Sequence, residues 1–96
     1  MDLAAVNANI IAVGRNVGED GADAAARQRA MRELDGHYAN GALPDSLRAK
    51  AASYVAEYYE FARVTDQACL WIGRTVQLDP TKRGYASYRQ ALGCTS

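Results

Sequence analysis

The chain has 96 residues and a mass of 10.4 kDa, which is one small domain, 1–96, folding to about 5,400 Å² of surface from about 15,000 Å² unfolded. Its 11 basic and 11 acidic residues cancel, so the electrostatic footprint of a strong nucleic-acid binder is missing. With 49% hydrophobic residues, 8 Gly and 2 Pro, disorder, collagen-like repeats and low complexity are excluded as well.

Alanine dominates the sequence and lowers the cost of helix formation. A first helix is expected from Leu3 to Val17, where Leu3, Val6, Ile10, Val13 and Val17 recur every three or four positions. Gly18 and Gly21 stop it, with Glu19 and Asp20 in the turn. A second is expected from Asp23 to Asn40, with Asp23 as N-cap, Ala24, Met31, Leu34 and Tyr38 on one face, and Gly36 or Gly41 as its stop. Pro44-Asp45-Ser46 opens the longest periodic stretch, in which Leu47, Ala51, Tyr54, Tyr58, Ala62, Thr65, Cys69, Ile72 and Val76 share a face. One helix from 46 to 78 would measure about 50 Å, too long for so small a domain. A bend or break is therefore expected near Val64-Thr65-Asp66, with Thr65 capping the second part. Asp79 as N-cap and Pro80 at the first helical position open a last helix with Tyr85, Tyr88 and Leu92 as its stripe and Gly93 as its stop. The β-forming run 69–76 offers a competing strand that 9–13 would pair with, but the helical stripe crosses it without a change of phase. The expected fold is a compact all-α bundle of four to five helices with a long, bent or broken central helix.

Cys69 and Cys94 are too few for a disulfide framework and are not spaced as a metal site. A reduced, cytoplasmic protein that folds without metal or disulfide is the simplest expectation. Asp2, Asn7 and Asn9 spoil a signal peptide at the start, and no apolar run is long enough to span a membrane. Arginine outnumbers lysine nine to two, a skew that suits a GC-rich bacterial or phage genome.

Catalytic chemistry finds little to stand on. His37 is the only histidine, no serine or cysteine is spaced from it as a triad requires, and a lone histidine near a helix end usually caps or packs. Zinc lacks ligands, no calcium loop is present, and the acids Glu57/Glu60 and Glu19-Asp20-Asp23 read as a solvated face and helix-start charges. Gly14, Gly18 and Gly21 match neither phosphate-binding fingerprint. No catalytic residues, cofactor or metal are expected, and the protein is expected not to be an enzyme.

Trp71-Ile72-Gly73 resembles the W-x-G tripeptide of the small secreted WXG100 proteins. It lies past the middle of the chain inside a periodic helix, and none of the six tyrosines has an acid four residues on, as that family's export signal requires. Ala68, Ile72, Thr75 and Pro80 are spaced like the second helix of a tetratricopeptide repeat, with Ala52, Val55, Ala56 and Tyr59 as a first helix. The pattern does not restart after Pro80, so the resemblance implies only a helix pair over 46–79.

Surfaces remain. Tyr59, one turn before Arg63 and about 120° from the stripe of its helix, joins Arg48 and Arg74 in a combination typical of interface hot spots. Trp71 lies off the stripe beside Val64 and Leu78, either buried from a second side or part of an interface. Arg29 and Arg32 share the outer face of the second helix, and Lys82, Arg83 and Arg89 gather on the last one. The expected function is a small non-enzymatic protein-binding module that blocks a macromolecular partner by occupying its surface. By size and absence of chemistry it looks like phage or mobile-element inhibitors of the anti-CRISPR or other anti-host kind. The expected partner is a host protein or ribonucleoprotein complex, with weak or no direct nucleic-acid binding, no membrane, and room for a homodimer. The alternatives are a nucleic-acid-associated helical regulator using arginine-rich faces and a self-associating structural subunit.

Overall fold

A computed structural model describes residues 2–17 and 23–94. The helix-ending glycines 18 and 21 and the acids at 19 and 20 lie outside the described residues. Among the described residues five helices follow one another: α1 (Leu3–Asn16), α2 (Ala24–Ala39), α3 (Asp45–Phe61), α4 (Thr65–Leu78) and α5 (Arg83–Ala91). Each packs on its chain neighbour, and α1 also reaches α3. The chain is thus an all-α bundle with α3 at its centre.

Local chemistry sets the ends. The Asp2 carboxylate accepts from the Ala4 and Ala5 amides at 3.0 and 3.2 Å, and Asp23 from Ala26 at 2.7 Å. Each satisfies amide donors that the first turn leaves open. Val17, at the end of the α1 stripe, is buried with Ile10 and Val13. Gly36 does not stop α2, which runs on to Ala39.

The long central helix divides into two, α3 and α4, and the break falls at residues 62–64. Arg63, at φ 62°, occupies the left-handed region. Its amide donates to the Glu60 carbonyl at 3.0 Å, and the Val64 amide donates to Tyr59 at 2.8 Å. That pair of bonds is a Schellman turn with Arg63 in the place glycine usually takes. Thr65 is the first residue of α4 and not its cap, because the Val64 carbonyl already receives the Ala68 amide.

The buried face of α3 is broader than one stripe. Leu47 and Ala51 are buried as the periodicity predicts, yet Ala49, Ala52, Val55 and Ala56 are buried too, while Tyr54 and Tyr58 are only half-buried. A central helix contacted by α1, α2 and α4 has no single inward side. Gly14 lets α1 come close, since a methyl group there would overlap the ring carbons of Tyr54.

Two expectations fail at the C-terminal end. Asp79-Pro80 does not start α5, which begins at Arg83. Asp79 instead closes α4, the Thr81 hydroxyl donates to its carboxylate at 3.1 Å, and the Lys82 amide donates to its carbonyl at 3.4 Å. Proline at the second position of such a turn fits its fixed φ. The cysteines are not free: Cys69 of α4 and Cys94 after α5 form a disulfide with Cα atoms 5.5 Å apart. Gly93, at φ 74°, ends α5 in a second Schellman turn, with Gly93 donating to Gln90 at 3.0 Å and Cys94 to Arg89 at 3.4 Å. That turn swings Cys94 back towards α4.

Candidate functional site

α2 ends beside the start of α3, and α4 returns antiparallel along α3, so Tyr38, Arg48, Trp71 and Arg74 meet. The Tyr38 and Trp71 rings stack edge-to-face with centroids 5.0 Å apart, a favourable aromatic geometry. The Arg48 guanidinium lies 5.5 Å from the Tyr38 centroid, and that of Arg74 lies 4.5 Å from Trp71 and 5.7 Å from Tyr38. Cation–π contacts of this kind hold each guanidinium in place.

The two arginines are held differently. Arg48 is spent inside the fold: its Nε donates to the Tyr38 carbonyl at 2.8 Å, and an η nitrogen pairs with Asp45 at 3.4 Å. Arg74 is half-buried and meets no acceptor or carboxylate among the described residues.

Trp71 is buried, 8% exposed, which settles its place in the packing. Its far side joins Met31, Arg32 and Asp35 of α2 and Val55 and Tyr59 of α3 in lining an open pocket of about 240 Å³. Tyr59 is thus half-buried against the core, with its ring 5.2 Å from that of Tyr58, and also a wall of this pocket.

The structure divides the residues singled out from sequence. Arg48 and Arg74 converge on Tyr38, whereas Tyr59 and Arg63 lie near the other end of α3, about 16 Å from Arg48 along the axis. Trp71 links the two groups. Arg63, Arg29 and Arg32 are exposed, with Arg32 on the pocket rim and Arg29 beside a separate recess with Val13, Asn16 and Glu33. Lys82 lies 4.9 Å over the Tyr85 ring, while Arg83 is exposed and Arg89 half-buried. Tyr38, Met31, Val55 and Asp35 are members that the sequence does not mark. Tyr38 and Met31 belong to the apolar stripe of α2, and nothing in the spacing says that this stripe surfaces beside α4.

Elsewhere, His37 packs, its Nε2 2.9 Å from the Asn9 side-chain oxygen. A larger recess of about 340 Å³ is lined by Glu57, Glu60, Phe61 and Tyr88. Partial burial and the Glu60 charge hold the Glu57 carboxyl above its ordinary value. Burial, with the Glu60 carboxylate that accepts the Tyr88 hydroxyl at 3.2 Å, raises Tyr88 strongly. The Phe61 ring already carries the Arg27 guanidinium at 4.7 Å. Among the described residues there is no group of three metal-ligating side chains, and no helix is long and apolar enough to cross a membrane. No family model, curated protein or solved structure matches the chain.

Proposed function

We propose that the protein is a small, non-enzymatic protein-binding module that acts by occupying a surface of a macromolecular partner, in the manner of inhibitors carried by phages and mobile elements. The observation that carries this reading is the arginine–aromatic cluster of Tyr38, Arg48, Trp71 and Arg74 beside the pocket of Met31, Arg32, Val55 and Tyr59. Tryptophan, tyrosine and arginine around a partly apolar recess is the composition in which contact energy concentrates. Arg63 is exposed on the turn between α3 and α4. The regulator alternative gains little support, because Arg48 is engaged within the fold and Trp71 has too little free face to stack a base.

The cytoplasmic expectation rests on two unpaired cysteines. Their bond removes that basis and favours a protein that matures where thiols are oxidised, since such bonds are rare in a reducing cytoplasm.

The test places a photo-cross-linking side chain at Arg32, on the pocket rim, and in a second variant at Gln90, an exposed residue of α5. Illumination in a host lysate is expected to trap a protein from position 32 and none from position 90. Trapping from neither position, or duplex DNA binding tighter than about micromolar at physiological salt, overturns the reading. Trapping of a second copy of the chain from position 32 moves it to the self-associating alternative.

A further inference from the structure

We infer that the α2–α3–α4 face receives a partner segment carrying an Asp or Glu side chain beside a large apolar one, with Arg74 taking the carboxylate and the neighbouring pocket taking the apolar group. This rests on the protein-binding reading above and specifies the chemistry of its partner.

Arg74 is the reason for the acid. A guanidinium presents five donors in a rigid fork that fits a carboxylate at two points. Here the fork is held over Trp71 at 4.5 Å and near Tyr38 at 5.7 Å, half-buried, with no acceptor among the described residues. Arg48 provides the internal contrast, because the same residue type beside the same tyrosine has both a carbonyl and a carboxylate. An arginine already fixed by ring contacts loses little freedom on binding an anion. The surrounding charges agree, with Arg32, Arg48 and Arg74 against Asp35 and the Asp45 that Arg48 occupies.

The pocket is the reason for the apolar group. Met31, Val55, Tyr59 and Trp71 supply its walls, and about 240 Å³ holds one leucine- or phenylalanine-sized side chain. Trp71 borders both the pocket and Arg74, so the two subsites are one indole apart. Side chains three or four positions apart on a helix, about 5–6 Å between Cβ atoms, span such a gap. The occupant is an amphipathic helical segment with its acid one turn from its apolar anchor.

Trp71 is the only tryptophan in the chain, so its emission reports on the site. The probes are acetylated, amidated alanine- and glutamine-based helical peptides of about fifteen residues. The first carries Leu and Glu four positions apart, the second replaces Glu by Gln, and the third replaces Leu by Ala. The first peptide is expected to change Trp71 emission saturably with Kd below about 1 mM, and each of the others to bind about tenfold more weakly. In Arg74→Ala, shown to fold by circular dichroism, the preference for Glu over Gln is expected to fall below about twofold. Arg74→Gln serves in its place should the alanine variant unfold. Equal binding of the Glu and Gln peptides, a preference that survives loss of Arg74, or no saturable change up to about 5 mM overturns the inference. If the rim cross-linker still traps a protein in that event, the partner chemistry assigned here fails and the protein-binding reading stands. If it traps none, the protein-binding reading fails with it.

Discussion

Two helices of this protein end in the same way with different residues. α3 and α5 both close in a Schellman turn, with the same two amide-to-carbonyl bonds and one residue in the left-handed region. At α5 that residue is Gly93, for which the conformation carries no steric cost. At α3 it is Arg63, for which a left-handed backbone costs about 1–2 kcal/mol. The residues just past the two turns differ as well. Cys94 is drawn into the bond to Cys69, whereas Val64 just past the α3 turn and Phe61 just before it are each 42% exposed. The α5 turn serves the fold. The α3 turn holds a strained arginine among exposed apolar groups, the kind of position where strain and function coincide.

The largest effect expected on this contrast comes from the bond that the α5 turn positions. A cross-link over a 25-residue separation removes unfolded-state entropy that is worth about 3.5 kcal/mol in the loop-closure picture. Paired Cys69→Ser and Cys94→Ser substitutions are expected to lower the urea-denaturation stability by about 3 kcal/mol. Adding reductant to the unmodified protein should do the same. Unchanged stability in both would show that α5 is held by Tyr85, Tyr88 and Leu92 alone and that its turn has no anchoring role.

This bond also marks the limit of what the sequence discloses. The helices, the Asp23 cap, the Gly93 stop and the break after α3 follow from periodicity and capping chemistry, which act within a few residues, whereas Thr65 and Asp79 do not cap the helices expected of them. Whether Cys69 and Cys94 meet depends on where α5 docks, and that is set by Asp79, which closes α4 and a turn instead of starting a helix. The stripe of α3 is only half legible for a related reason. Ala52, Val55 and Ala56 are buried by neighbours on other sides, and a single periodic face assumes one neighbour. In the candidate site, Arg48, Tyr59 and Arg74 carry the right chemistry in the sequence, but only the packing of both α2 and α4 on α3 brings Tyr38 to Arg74 and Met31 to Trp71.

A smaller effect separates two uses of glycine. Gly14 is needed for room, Gly93 for its backbone angle. Gly14→Ala gains about 1 kcal/mol of helix propensity but forces the Tyr54 ring aside, and overpacking a fitted contact costs about 1–3 kcal/mol. The net expectation is a loss of up to about 2 kcal/mol, relieved when Tyr54 is cut back to Ala, which removes the overlapping ring carbons, with the single Tyr54→Ala variant as the reference. Gly93→Ala meets open space, so only the angle opposes it. A loss of about 1 kcal/mol is expected, insensitive to any change at Tyr54 and accompanied by slower closure of the disulfide during oxidative refolding. Should Tyr54→Ala rescue both variants equally, room and angle are not separate causes.

The smallest effect has the opposite sign and tests the α3 turn directly. Arg63→Gly relieves the left-handed strain of about 1–2 kcal/mol but frees the unfolded chain, which gives back about 0.4–1 kcal/mol. The expected net gain is about 0.5–1 kcal/mol, or a rise in melting temperature of about 2–8 °C for a domain of this size. Arg63→Ala keeps the strained backbone and loses only the guanidinium, so its stability should stay within about 0.5 kcal/mol of the parent. The two variants together separate conformation from side chain, by thermal and urea denaturation for stability and by binding of the trapped partner for function. If the arginine is kept for contact, both variants bind more weakly although one of them is more stable. If Arg63→Gly instead destabilises the protein, the guanidinium packs against the turn, and the contrast with Gly93 is one of contacts and not of backbone angle.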